Sequence, residues 1–450
     1  TKEFFGNKTA LIALFFFSLS PTFLAHGRLV TTDVGAAFGA FTSIYFFLKA
    51  IRQPTAKNII LAGVFFGIAE LLKFSLILLI PFFIVIGLLW WIIKGDSLLN
   101  VVKILCAIFV IGGILIWPTY QFHVWNYPPE KQKADTQFIL SSFGSKFLVD
   151  AVVWMSDKPI LRAYAQYLLG LFMVLQRAVG GNTTYFWGEI SASGWKIYFP
   201  VVYAVKETLP FHILTLSAIL FAFWRVKQIF LLNSLQKIRN WTREHFIEIV
   251  FLLFIGMYWT SSLKSNLNIG VRHLLPVFPF TMVLAAKFAA QYLKQPLLRL
   301  KYALLAVLML WQAVSVISVY PHFLGYFNEL IGGSRNGYLY AVDSNFDWGQ
   351  DLLRLRQWID KKGVEKIYVD YFGGSDTDFY LGNKYLPWQG SRNPNDMPKG
   401  GYIAVSATLL QGGRGKAAPG FDQSTGYYLW LNKYEPAEII GNSIFVYRIN

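Results

Sequence analysis

The sequence predicts a polytopic α-helical membrane protein of about nine spans, ending in a small extracytoplasmic α/β domain. Three observations carry that expectation. Of 450 residues, 55% are hydrophobic and only 15% charged, where a soluble domain carries about 25% charged residues. The apolar residues gather in runs close to the length that crosses a bilayer, and mean hydropathy is +0.42. The net charge of +16 lies mostly in short connections between those runs. Such a distribution orients a membrane protein and does not form a nucleic-acid groove, so no nucleic-acid partner is expected. The single cysteine, Cys106, lies inside an apolar run, which excludes an intrachain disulfide framework and a thiol metal cluster.

The nine runs cover roughly 9–24, 33–48, 58–72, 75–93, 102–119, 209–224, 246–262, 276–293 and 302–320. Basic residues mark one set of connections: Lys49, Arg52 and Lys57; Lys94 and Lys103; Arg225, Lys227, Lys237, Arg239 and Arg243; Lys294, Arg299 and Lys301. By the positive-inside rule these face the cytoplasm. The alternate connections then face outward: Arg28 to Asp33, the tip at Lys73, a long loop 121–208, the loop 263–275, and everything after about 320. The expected organisation is a membrane domain, 1–320, with its external loop, and an extracytoplasmic α/β domain, 321–450. The chain opens at Thr1 with neither a methionine nor a signal-peptide pattern, which reads as the loss of an N-terminal portion.

The outward connections hold the residues worth weighing. Pro21 to Asp33, PTFLAHGRLVTTD, sets His26, Arg28 and Asp33 at a membrane surface, where ionisable groups are costly unless used or wetted. For Asp33 the competing reading is capping of the helix that follows Thr31-Thr32. In the long loop, Tyr164 to Val174 is too short and too closely flanked by charge to span, and reads as a helix at the interface. The stretch GGNTTYFWGE, 180–189, interleaves glycine and aromatic residues. Trp187 there suits either an aromatic belt at headgroup level or a sugar cleft. Glu189, a carboxylate beside it, asks for a partner, and Asn182-Thr183-Thr184 matches a glycosylation sequon. In the loop 263–275, Arg272 beside His273 makes a compact cationic site above a span, with Lys264 and Asn268 nearby. A guanidinium can grip phosphate through two bonds; snorkelling to lipid headgroups is the alternative.

Beyond 320 the composition turns mixed. Asp347 to Lys361 has Trp348, Leu352, Leu355 and Ile359 at helical spacing, with Gly363 just past its end. Lys366–Phe372, Tyr402–Ala407 and Ser443–Arg448 alternate as strands. Asp343 to Asp351 has a calcium-loop flavour, but its glycine falls at the wrong place and Arg354 stands where glutamate belongs. Acidic residues at a helix N-terminus explain the same spacing better.

There is no phosphate-binding loop, dinucleotide fingerprint, HExxH or GxSxG. The outward residues point to chemistry on something at the outer leaflet. A lipid or polysaccharide transporter would need ionisable groups deep in its spans, and Glu70, Glu248 and Lys287 lie towards span ends. A non-catalytic scaffold, with the outer domain binding partners, is the third reading.

Four stretches carry a resemblance: SPTFLAHGRLVTTDVGAAF at 20–38, GNTTYFWGEISASGW at 181–195, LNIGVRHLLPVFPF at 267–280, and HFLGYFNELIGGSRNGYLYAVDSNFDWGQDL at 322–352. They resemble bacterial polyprenyl-phosphate-sugar-dependent glycosyltransferases of GT-C fold, of the protein O-mannosyltransferase (dolichyl-phosphate-mannose–protein mannosyltransferase) kind. The resemblance implies a lipid-linked sugar donor, mannose or similar, inversion at the anomeric carbon, and no nucleotide at the site. It implies an acceptor that is protein, lipid or envelope glycan, and a multi-pass protein of the cytoplasmic membrane. Arg28 and Asp33 match the Arg and Asp that open an outward-facing helix in that family, and Arg272 with His273 match its last external loop. On this reading Arg28, Lys73, Arg272 and His273 receive the donor phosphate, and His26, Trp187 and Asn268 line the acceptor or sugar cleft. The family's catalytic base lies in a first external loop, so it is expected upstream of Thr1, and the chain is expected to be inactive alone. Asp33 and Glu189 are the carboxylates available to act in its place or to orient the acceptor. No cofactor is required; a divalent cation is an option, since guanidinium and imidazolium can stabilise a departing phosphate.

Overall fold

The computed structural model describes residues 1–95, 97–230, 235–293 and 299–449. Lys294, expected in an inward connection, lies outside the described residues. Among them, seven helices are long and apolar enough to cross a membrane: Thr32–Arg52, Phe74–Lys94, Leu98–His123, Leu209–Lys227, Phe246–Lys264, Val271–Tyr292 and Leu300–Ile317. The chain is a multi-pass helical membrane protein with a strand-containing C-terminal region.

Of the two other expected runs, one is bent and one is a shorter helix. The run 9–24 is broken into Lys2–Ser18 and Pro21–Arg28, bent by 60°. Ser20 caps the second piece and Pro21 opens it, where a missing N–H costs nothing. The run 58–72 is a 17-residue helix, Ala56–Leu72. At 1.5 Å per residue it is about 26 Å long, a little short of the hydrocarbon core. It is held by close packing of small residues: a Cβ on Gly67 would lie 2.9 Å from the Gly112 carbonyl of Leu98–His123.

One end of the bundle gathers the basic connections. Arg239 and Arg243 each donate from Nε to the Ile93 carbonyl at 2.9 Å, satisfying the C-terminus of the Phe74–Lys94 span. Lys49 of Thr32–Arg52 pairs with Glu3 of the first helix, Lys2–Ser18, at 3.2 Å.

The opposite end carries the irregular material. The expected interfacial helix is longer than its apolar run, Arg162–Gly180, and buries Ala165, Leu169 and Phe172. After it come β1, Thr184–Phe186, and β2, Glu189–Ser191, an antiparallel hairpin. The C-terminal strands are β3, Ile367–Asp370; β4, Tyr385–Pro387; β5, Tyr402–Ser406; β6, Lys416–Ala417; β7, Glu438–Ile440; and β8, Ile444–Arg448. Five form a mixed sheet in the order β4-β3-β5-β8-β7, with β3 parallel to its neighbours and β8 antiparallel. The helix Leu352–Lys362 covers it through Leu352, Leu355 and Ile359, and Gly363 closes the helix in the left-handed conformation, φ +63°.

Strand β6 leaves that sheet and pairs with β2, so the C-terminal region and the long loop share a second sheet, β1-β2-β6. Buried Lys206 adds a polar pin. Its Nζ donates to the carbonyls of Leu324, Tyr326 and Asn345 at 2.7, 2.6 and 2.6 Å, 4.4 Å above the Phe327 ring. Burial pulls this lysine down to about 7, and three carbonyls are the acceptors a buried ammonium requires. Asn328 reinforces the joint with bonds to Ala204 and Glu207 carbonyls at 2.6 and 2.7 Å. The C-terminal region is therefore clamped onto the membrane base.

Candidate functional site

Three helix ends meet around Asp33. The first turn of Thr32–Arg52 supplies Asp33 itself, and Lys73 follows the last turn of Ala56–Leu72. Arg272 sits in a 3-10 turn, Val271–Val277, that opens the next span. Asp33 is buried, 1% exposed. One of its oxygens accepts from the Lys73 Nζ and the other from the Arg272 Nη1 at 3.4 Å. Thr31, and not Asp33, occupies the cap position, without a capping side chain. The capping reading of Asp33 is thus corrected: its carboxylate is committed to the two cations.

A buried carboxylate with one partner is a structural pair; two cations bonded to the one carboxylate of Asp33 leave a positive charge over. Asp343, whose carboxyl burial raises while the charge of Arg272 lowers it, is the further acid in Arg272's field. Lys73 and Arg272 keep 16% and 20% of their side chains exposed, so that surplus is accessible. Arg272 is aimed from two directions. Its Nε donates to the Ile269 carbonyl at 3.0 Å, and its guanidinium lies 4.1 Å from the centre of the Trp348 ring.

The other expected site residues divide into two groups. His26 is buried beside the cluster, with its ring edge-on to Trp348 at 6.2 Å and its Nδ1 without a partner. His273 is held between the rings of Phe199 and Tyr258, at 5.3 and 5.6 Å. Tyr258 in turn lies within hydrogen-bond reach of Ser75, 3.4 Å, just beyond Lys73. These two imidazoles therefore back the Asp33 cluster.

Arg28, Glu189, Trp187 and Asn268 are elsewhere. Arg28 is exposed at the end of Pro21–Arg28 and turns its field on His322, which lies 3.9 Å from buried Asp351. Glu189 is an exposed residue of β2, in register with Lys416. Trp187 is exposed at the hairpin turn with φ +50° and leans on Tyr340, ring centres 5.7 Å apart. Asn268 is buried; its Oδ1 accepts the Trp195 N–H at 2.6 Å, while its Nδ2 has no partner.

The segment after the last span contributes what periodicity missed. The expected helix Asp347–Lys361 starts only at Leu352, so Trp348 is not on its apolar stripe. The preceding residues form a turn in which Asp343 adopts φ +54°, and the Asp347 carboxylate accepts from the N–H groups of Thr408 and Gly349 at 3.1 and 3.3 Å. Burial pushes Asp347 up to about 7 and also raises Asp343 and Asp351. Ser344 donates to the Ile269 carbonyl at 2.6 Å, and the Asn345 Oδ1 accepts the Val271 N–H at 2.9 Å. Both bonds fall on the backbone that carries Arg272. Among the described residues no group of three or more His, Cys, Asp or Glu is placed to hold a metal. Asp347 accepts from backbone N–H groups, and Asp351 from the side chains of Ser443, Arg354 and Gln350.

Residues 1–118 match the family model described as dolichyl-phosphate-mannose-protein mannosyltransferase. The match includes His26, Arg28, Asp33 and Lys73 and stops short of Arg272 and the C-terminal region. It supports a glycosyltransferase of the mannosyltransferase type. No curated protein matches the chain.

Proposed function

We propose that this protein transfers a sugar, mannose or a similar hexose, from a polyprenyl-phosphate carrier to a protein, lipid or envelope glycan acceptor at the outer face of the membrane. The observation that carries the reading is the Asp33–Lys73–Arg272 cluster, two cations on one buried carboxylate at the ends of three apolar helices. The donor is a phosphodiester with one negative charge. When the sugar leaves, the carrier keeps a phosphomonoester whose charge approaches two. A site with a surplus cation gains most as that charge develops, which is the requirement for lowering the barrier rather than only binding the donor. Lys73 and Arg272 receive the phosphate, and Asp33 keeps both cations converged while the site is empty.

The carrier's apolar tail has a place to lie. Leu78, Leu252, Leu253 and Met257 line a groove of about 470 Å³ between two spans, ending in Thr260, Ser261 and Lys264. Tyr258, adjacent in sequence to the groove's Met257, meets both Ser75 and His273. The acceptor's hydroxyl still needs a base; Asp33, held by two cations, is poorly suited to take a proton. Its role on this reading is positioning.

The test is sugar transfer from polyprenyl-phosphate-linked mannose by the full-length protein in lipid vesicles. Transfer that requires the lipid-linked donor and falls with Arg272→Ala or Lys73→Ala supports the reading. Wild-type rates in both variants would remove the cluster from the reaction.

A further inference from the structure

We infer that Trp348, from the region after the last span, is a positioning residue of the Arg272 anion site, so that the C-terminal region completes the site. This rests on the proposed donor-phosphate role of Arg272. Trp348 meets the guanidinium at 4.1 Å from its ring centre, inside the range of a favourable cation–π contact. It is not in the core of a helix: the helix that follows begins four residues later, at Leu352. The same turn is keyed to the arginine's own loop through Ser344 and Asn345, whose bonds to Ile269 and Val271 hold the backbone immediately before Arg272. Asn345 is itself fixed from below, its Nδ2 donating to the buried Tyr198 hydroxyl at 2.8 Å and its carbonyl accepting from Lys206. The chain after the last span thus builds a platform under the guanidinium. An aromatic face holds a planar cation in one plane while leaving its edge N–H groups free for a phosphate. Asp33 uses one of those groups, at 3.4 Å, and Ile269 another, at 3.0 Å. The remaining donors are what the platform presents.

The contact predicts a dependence on ring chemistry rather than on bulk. In full-length protein in vesicles, Trp348→Leu is expected to raise the KM for polyprenyl-phosphate mannose about tenfold, and Trp348→Phe at most about threefold. The acceptor KM stays within a factor of two in both. A cycle with Arg272→Ala sharpens this: once the guanidinium is gone, Trp348→Leu is expected to cost nothing further. Equal donor KM values for the Phe and Leu variants, or losses that multiply independently of Arg272, would overturn the inference. Should Trp348→Leu fail to fold, the Phe variant with and without Arg272→Ala decides: a threefold effect present only with Arg272 supports it, and one present in both backgrounds overturns it. A wild-type protein that transfers no sugar but binds polyprenyl phosphate with the same Trp348 dependence would sink the transferase reading and leave the platform standing.

Discussion

Two ion clusters join the spanning helices of this protein, one at each end of the bundle, and they are built on different arithmetic. At the basic end, Glu248 pairs with Lys287 one to one. The adjoining cavity, about 480 Å³, is lined by Glu3, Glu244 and Glu248 against Lys8, Arg52 and Lys287. At the other end, Asp33 is shared by Lys73 and Arg272, with an indole under the guanidinium. Matched charges neutralise one another and serve as a clamp. An unmatched cation, kept partly open and held in a fixed plane, is an invitation to an anion. The difference separates a clamp from an anion site.

The largest effect expected from breaking this comparison comes at the unbalanced end. Arg272→Ala removes a cation proposed to bind the donor phosphate and is expected to lower transfer by about a hundredfold or more. Asp33→Asn leaves Lys73 and Arg272 facing each other without the carboxylate that bonds both. Loss of one partner from a buried cluster costs about 3–5 kcal/mol, so a fall in thermal midpoint in detergent should accompany loss of activity.

Next is the joint between the two regions. Lys206→Met strands three buried carbonyls and is expected to cost about 3 kcal/mol or more. Limited proteolysis should then release C-terminal fragments that the wild type withholds.

A smaller effect should appear in the pH dependence. Burial raises Asp347 to about 7, well above its unfolded value. The folded state therefore holds a proton that the unfolded chain has lost by mid-acid pH, and the stability this gives is full below about pH 4 and gone above about pH 7. Asp347→Asn keeps the shape without the titration. Its thermal midpoint should change less than the wild type's between pH 5 and 8.

How much of this could be read from the residues follows from what periodicity can sense. Seven of the nine apolar runs and the strands at Tyr402 and Ser443 are local patterns that stand where expected. Asp33, Lys73, Arg272 and His273 stood out as charge or imidazole beside lipid, and they converge because alternating connections share one face. Arg28 separates from them because Pro21 starts a second helix at a bend, which turns its end towards His322 instead of Asp33. Trp348 fits a helix stripe by its spacing to Leu352 and Leu355. Nothing local signals that the turn at Asp343 delays the helix and frees the indole for a partner 76 positions back in the chain, as position 272 is from 348. Lys206 was equally hidden: a lysine before a span looks like a surface charge until three distant carbonyls close on it.

The smallest effect is expected at the balanced end. Replacing Glu248 and Lys287 together by glutamine removes both charges, and a paired loss of this kind costs little compared with breaking one partner. Transfer should stay within about twofold.

Those two ends set the decisive measurement: the initial rate of mannose transfer from polyprenyl-phosphate mannose, in vesicles, for Arg272→Ala beside the Glu248→Gln, Lys287→Gln double variant. A fall of about a hundredfold in the first with a near-normal rate in the second is expected if the surplus cation is the working feature. Equal losses in both, or an undiminished rate in Arg272→Ala, would contradict it.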